Sequence, residues 1–211
     1  MSRYKKLMQN NANWKAEEMK ANPDYFKELS KPQHPPFLYL GCSDSRLPID
    51  LFTGAKPGEI FIHRNIANQV FLNDMNFLSV LEYAVDVLHV DHIIICGHYN
   101  CGGVEAAYVG KASGLIKNWV MSIRDLALEK KDELELIPDI TKRLHRLSEL
   151  NTVRQLRQLC KTSIMTQAFA SDKYPKIHGW VLDIYDGSIL ELPLPIAEWK
   201  KYGLLPADYE E

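Results

Sequence analysis

The chain has 211 residues, a formal net charge of −2, and 46% hydrophobic against 25% charged residues. Such a length buries a sizeable core without disulfide staples, and such a charge leaves no footprint for a nucleic-acid backbone. The longest apolar run, Phe77 to Val90, is broken by Glu82, Asp86 and His89, well short of the roughly 18 residues a bilayer span requires. One domain over 1–211 is expected, with a helical arm over 1–30, a core over 31–192 and a tail over 193–211, and with neither a nucleic-acid nor a membrane partner. The Met1 start shows no charged-then-apolar leader, so a reducing, cytoplasmic location is the expectation. There Cys42, Cys96, Cys101 and Cys160 read as metal ligands, nucleophiles or small buried hydrophobes rather than as a disulfide framework.

The arm places Trp14, Met19, Tyr25, Phe26 and Leu29 on a charged background, which predicts two short amphipathic helices starting near Asn13 and Asp24. Pro32, Pro35 and Pro36 then hold the chain extended into a first strand, Phe37 to Gly41. A second strand runs from Glu59 to Arg64, entered through the turn residues Gly54, Pro57 and Gly58. Phe77, Leu78, Leu81, Ala84, Val85 and Leu88 recur at helical spacing between Asp74 and His89, with Asn73 or Asp74 as the cap. The strand His92 to Cys96 follows at once. Strand, helix and strand joined by short links argue a parallel sheet of α/β type, with ligands bound at the carboxyl ends of its strands.

Beyond it, Val104 to Val109 reads as a short helix and Leu115 to Lys130 as a longer one. Pro138 opens a largely helical stretch to Phe169, whose apolar set is Leu144, Leu147, Leu150, Val153, Leu156, Leu159 and Ile164. Lys176 to Tyr185 and Ser188 to Leu192 flank Asp186-Gly187, a strong hairpin signal. The tail carries Trp199, Tyr202, Leu204 and Leu205 and needs a surface to lie on. The predicted architecture is a central, mostly parallel sheet flanked by helices, with the N-terminal arm and a C-terminal hairpin extension.

Two strand ends carry chemistry. Cys42-Ser-Asp-Ser-Arg46 follows the first strand, and His98-Tyr-Asn-Cys101-Gly-Gly103 follows the third. Cys42, His98 and Cys101 offer sulfur and nitrogen donors for one zinc ion, and the spacing of His98 and Cys101 lets one loop present both. Cys96 faces strand packing, and Cys160 sits in a helical stretch with no metal-ligating neighbour. Three ligands fit either a catalytic site, with a position left for water, or a structural site closed by a fourth ligand. Asp44 could close the site itself, or pair with Arg46 and accept a hydrogen bond from a zinc-bound water. In the second arrangement the ionised carboxylate admits only a protonated nucleophile and orients zinc-bound hydroxide toward an electrophilic carbon. The motifs of zinc deaminases and of His-Glu-x-x-His proteases are missing.

Together, Cys42-Ser-Asp-Ser-Arg46, His63-Arg-Asn-Ile-Ala-Asn68, Glu82-Tyr-Ala84, Gly97-His-Tyr-Asn-Cys-Gly-Gly103 and His178-Gly-Trp180 closely resemble the β-class carbonic anhydrases from about Trp14 to Leu192. The resemblance implies reversible hydration of carbon dioxide to bicarbonate and a proton, one zinc ion per chain, and self-association into a dimer or higher even oligomer. It implies Cys42, His98 and Cys101 as metal ligands and Asp44 with Arg46 as the catalytic dyad. It further implies Gln33, reaching across a subunit interface, and Phe61, Ile66, Tyr83, Leu88 and Gly102 as the substrate pocket; without the resemblance these apolar side chains read as core. His63, His92 and His178 are candidate proton carriers or structural histidines. One departure stands out, because family members with a bicarbonate-controlled closed state carry tryptophan in place of Tyr39 and usually tyrosine where Leu182 aligns. An open site, with Asp44 off the metal at neutral pH, is therefore expected. Two other activities remain open at this point: hydrolysis of carbonyl sulfide or carbon disulfide on the same scaffold, and a non-catalytic zinc-binding bicarbonate sensor.

Overall fold

The computed structural model describes residues 1–171 and 173–210. It divides into two compact units, Met1–His34 and Pro35–Glu211. In the first, α1 (Arg3–Ala21) and α2 (Tyr25–Leu29) are joined by a short turn, and Trp14 packs edge-on against Tyr25 and Phe26. The predicted start at Asn13 is a correction: α1 is one helix of 19 residues, capped by the Ser2 hydroxyl. No glycine or proline interrupts it before Pro23, so nothing stops its propagation. Asn13 instead accepts a hydrogen bond from Gln9 on the helix surface, at 2.9 Å.

The second unit holds a five-stranded sheet in the order β2-β1-β3-β4-β5. Its strands are β1 (Phe37–Cys42), β2 (Ile60–Asn65), β3 (His92–His98), β4 (Lys176–Leu182) and β5 (Ile189–Glu191). The first four run parallel, and β5 returns antiparallel from the Asp186-Gly187 turn to close the hairpin. Alternation along the strands sorts the core into two layers. Leu38, Leu40, Ile93, Ile95 and Ile177 face one cluster, with Phe77 and Leu81 of α4 (Met75–Glu82), Leu156 and Leu159 of α9 (Ile140–Cys160), and Trp199. Tyr39, Ile94, Cys96 and Leu182 face the other, with Ile123 and Leu126 of α7 (Met121–Glu129) and with α5 (Gly102–Val109). The sheet is thus covered on both faces, as parallel strands require.

Several element boundaries differ from those predicted. The helix expected over 115–130 is broken at Val120 into α6 (Gly114–Trp119) and α7. The break lets the Val120 side chain enter the core while the Trp119 indole donates to the Ile66 carbonyl at 2.7 Å. The stretch expected from Pro138 to Phe169 is two helices, α9 and α10 (Ser163–Phe169), because Thr162 caps a fresh start by accepting from the Met165 amide. Three short helices carried too little periodicity to predict: α3 (Ile49–Thr53), α8 (Lys131–Glu135) and α11 (Ile196–Lys201). The last brings Trp199 into the core, followed by Leu205 and Tyr209. The tail does lie on a surface of its own unit, where the Tyr209 hydroxyl accepts from the Ile177 amide at 2.8 Å.

Candidate metal centre

β1 and β3 are neighbours in register, Gly41 opposite Cys96. Their carboxyl ends therefore deliver Cys42 and His98 side by side, and Cys101 joins them from the turn that opens α5. Each offers one donor atom, and the three lie within 4.8 Å of one another. The two sulfurs are 4.0 Å apart. All are buried, with exposures of 6% for Cys42, 1% for His98 and 4% for Cys101.

The His98 ring is already committed to a tautomer. Nδ1 lies 2.9 Å from the Tyr99 carbonyl, which can only accept, so Nδ1 carries the proton and Nε2 carries the lone pair. Nε2 is buried with no hydrogen-bond partner, an arrangement that a metal ion would satisfy. The Cys42 thiol is drawn down by its contact with Cys101, then by His98 and the Ala67 amide, against the opposing effect of burial. The same contact, together with burial, pushes Cys101 up. A shared proton between two sulfurs is what a divalent cation displaces. The donor set is that of a zinc site.

Asp44 sits on the rim. Its Oδ1 accepts from the Arg46 amide at 3.0 Å and from Nε at 2.9 Å, and its Oδ2 accepts from Nη2 at 2.6 Å. These bonds hold the carboxyl well below the usual carboxylate range. Oδ2 also lies 3.9 Å from His98 Nε2. Beneath this loop Arg64 donates to the carbonyls of Cys42, at 2.8 Å, and of Asp44. The motif His63-Arg-Asn-Ile-Ala-Asn68 does not by itself reveal this role, which follows from the β1–β2 register that places Arg64 opposite Gly41, immediately before Cys42.

The remaining expected site residues fall into separate groups. Phe61 and Tyr83 are ring neighbours at 5.8 Å, and Phe61 and Leu88 pack on the edge of the first core cluster. Ile66 lies against the metal loop, its Cγ2 3.1 Å from where a Cβ on Gly103 would be, and nothing crowds Gly102. Ile66 and Tyr83 are 37% and 44% exposed, enough to leave apolar surface uncovered. Gln33 belongs to the first compact unit. His92 and His178 pair with each other at 3.0 Å near the starts of β3 and β4, at the opposite end of the sheet from the carboxyl ends of β1 and β3 that bear Cys42 and His98. His63 is buried against Phe77. Cys96 and Cys160 are buried thiols pushed up to about 12 by burial, as small hydrophobes should be.

Sulfur and nitrogen donors aimed at one point from adjacent strand ends, beside a fixed carboxylate, are what an α/β metalloenzyme presents. A family model described as carbonic anhydrase matches residues 37–189. The chain is 41% identical to a carbonic anhydrase of Emericella nidulans over 189 residues, 90% of this chain and 83% of that protein. It is similar, with a TM-score of 0.86 and 35% identity, to one of two tetrameric β-carbonic anhydrases from Sordaria macrospora, covering 90% of this chain and 96% of that one. A Coccomyxa β-carbonic anhydrase in complex with acetazolamide gives 0.87 and 31%, covering 99% and 95%. The chain belongs to the β-class carbonic anhydrases.

Proposed function

We propose that this chain hydrates carbon dioxide reversibly, with Cys42, His98 and Cys101 holding one zinc ion and Asp44 and Arg46 acting as its catalytic dyad. The observation that carries the reading is the Asp44 carboxylate, fixed by three bonds from Arg46, with Oδ2 3.9 Å from the unpartnered Nε2 of His98. Bound zinc supplies Lewis acidity, which in carbonic anhydrases themselves brings the ionisation of water to about pH 7.

The chain's own residues do the rest. Asp44 stays ionised at neutral pH because Arg46 binds its charged form, so it can only accept a proton-bearing partner. It thereby selects a nucleophile that still carries a hydrogen and aims that nucleophile's lone pair away from itself. Arg46 holds both Asp44 oxygens, which would keep the carboxylate from closing a metal site and leave that site open at neutral pH. Tyr39 and Leu182, which stand where members with a bicarbonate-controlled closed state differ, are both buried in the same core cluster. Arg64 anchors the Cys42 and Asp44 carbonyls, so the ligand and the acceptor move together.

Carbon dioxide is uncharged and is held by apolar shape with one or two donors. Phe61, Ile66, Tyr83, Leu88 and Gly102 form the wall, and Gln33 of the partner subunit supplies the amide. The exposed apolar faces of Ile66 and Tyr83 fit a site finished by a second copy, and the tetrameric Sordaria structure supports an even-numbered assembly. A cytoplasmic setting suits a centre that needs Cys42 and Cys101 as thiolates. No helix here is long and apolar enough to cross a membrane, among the described residues.

The test is stopped-flow hydration of wild type beside Asp44→Asn, with zinc content measured in both. Asparagine turns a donor toward Arg46 Nη2 and removes the ionised acceptor, and turnover is expected to fall by about 10²–10⁴ at unchanged zinc content. A wild type that carries one zinc per chain and does not hydrate carbon dioxide would refute the reading, whether its substrate is then carbonyl sulfide or it has none.

A further inference from the structure

The loop after β2 has a shape that needs explaining. Ala67 has φ 60° and ψ 32°, and Asn68 follows with φ 49°. Residues other than glycine occupy this left-handed region only where their surroundings over-determine it. Ala67 is also fully buried.

The surroundings are amides. Gln69, Asn151 and Gln155 are buried side chains, the latter two a turn apart on α9. Asn151 Nδ2 donates to the Ala67 carbonyl at 3.1 Å, and Gln69 Nε2 donates to the same oxygen at 2.7 Å. Asn151 Oδ1 accepts from Gln69 at 3.0 Å and from Gln155 at 2.9 Å. Gln155 Oε1 accepts from the Val70 amide at 2.9 Å, and Gln69 Oε1 accepts from the Ser122 hydroxyl at 2.6 Å. Asn65 closes the loop from within through the backbone of Gln69, at 2.7 and 2.8 Å. A buried network satisfied to this degree rigidifies what it holds. Apolar side chains would fill the same space with less at stake, so the question is what the fixed loop does.

Ala67 touches both halves of the metal centre. Its amide donates to Cys42 Sγ at 3.4 Å. Its Cβ stands 3.1 Å from where a Cβ on Gly103 would be, in the first turn of α5 directly after Cys101. We infer that Gln69, Asn151 and Gln155 are positioning residues of the metal centre: they lock Ala67 so that its amide stays on the Cys42 sulfur and its methyl seats the Cys101 loop. The inference rests on Cys42 and Cys101 being metal ligands. Hydrogen bonds to ligand atoms fix their direction and tune the donor, which is the part outer residues play at metal sites. The polar stripe of α9 thereby acquires a role that no motif announces.

The experiment compares wild type, Asn151→Leu, Ser122→Ala and Leu159→Ala. Leu159→Ala is the control, a cavity in the other core cluster, two turns along α9 from Asn151 and outside the amide network. Two quantities are read: the zinc dissociation constant by chelator competition, and the thiolate-to-metal absorption band of the cobalt-substituted protein. Asn151→Leu should weaken zinc about 10–100-fold and shift the band. Ser122→Ala, which loses one peripheral bond, should weaken zinc by a smaller factor in the same direction. Leu159→Ala should melt earlier yet keep both quantities at their wild-type values. The inference is overturned if folded Asn151→Leu keeps both, or if Leu159→Ala moves them equally. Should Asn151→Leu fail to fold, an unchanged zinc affinity in Ser122→Ala overturns it alone. Wild type that binds no zinc removes the ligand assignment itself, and the clamp with it.

Discussion

Consider Gly97→Ala, one residue before His98, a proposed metal ligand. A Cβ at position 97 would lie 2.3 Å from Thr152 Oγ1, with Ser148 O and Thr152 Cβ the next neighbours at 3.5 and 3.7 Å. Only the hydroxyl is in the way, and it cannot easily leave. Thr152 is fully buried, donates to the Ser148 carbonyl at 3.0 Å, and is β-branched, hence stiff at χ1. Relief must come from α9 backing away from β3 or from an unfavourable rotamer, and overpacking of this kind costs about 1–3 kcal/mol. In a chain of this size each kcal/mol lowers the melting temperature by about 2–4 °C, so a fall of about 2–12 °C is expected. Thr152→Ala removes the obstructing oxygen and leaves only ordinary contacts for the new methyl. The double variant should therefore be more stable than Gly97→Ala, with a favourable coupling of about 0.5–3 kcal/mol. The assay is thermal and urea unfolding of all four proteins. A Gly97→Ala protein that melts within about 1 °C of wild type, or a double variant whose losses simply add, would refute this account of how the helix docks beside the metal centre.

Two further outcomes concern stability. Burial depresses the His63 pKa, slightly offset by Asp74, so between the folded value and the unfolded value near about 6.5 the unfolded chain binds more protons. Stability is then complete above about pH 6.5 and is lost as pH falls through that window; His63→Leu should flatten the urea midpoint there, and an unaltered pH slope would sink the assignment. Trp199→Ala should destabilise by about 3–5 kcal/mol, because Trp199 is buried in the first core cluster. Calorimetry showing a loss under about 1 kcal/mol would mean the tail is not part of that core.

What could be read in advance was local or repeated. The strands announced themselves because Phe37–Cys42 and His92–His98 are short apolar runs bounded by turn residues, and a helix between parallel strands fixes where their ends point. That logic sufficed to bring Cys42 to His98 and Cys101. It fails where a residue's meaning comes from a distant partner. Asn151 and Gln155 look like the solvated face of α9, yet with Ser148 and Thr152 they are buried, because their partners lie 82 to 86 residues away in the chain. Arg64 was quoted within its motif, but its role lies in backbone carbonyls of a neighbouring strand, which no side-chain pattern reports. The break at Val120 has the same origin, since nothing within 115–130 says that Trp119 must reach Ile66.

The two ligand strands meet in the middle of the sheet, where β1 separates β2 from β3. Cys42 and Cys101 are 59 residues apart in sequence, so an ion held between them acts as a cross-link that closes a long loop. In the chain-entropy picture of such cross-links, a loop of this length is worth about 4 kcal/mol against the unfolded state. The hydrogen-bonded seam between β1 and β3 brings the donors together without the ion, so under the proposed ligand assignment zinc would close a site that strand pairing has already assembled. A chain loaded in this way would resist unfolding more than the same chain without metal. The proposed centre would then bind best where the middle of the sheet is in register.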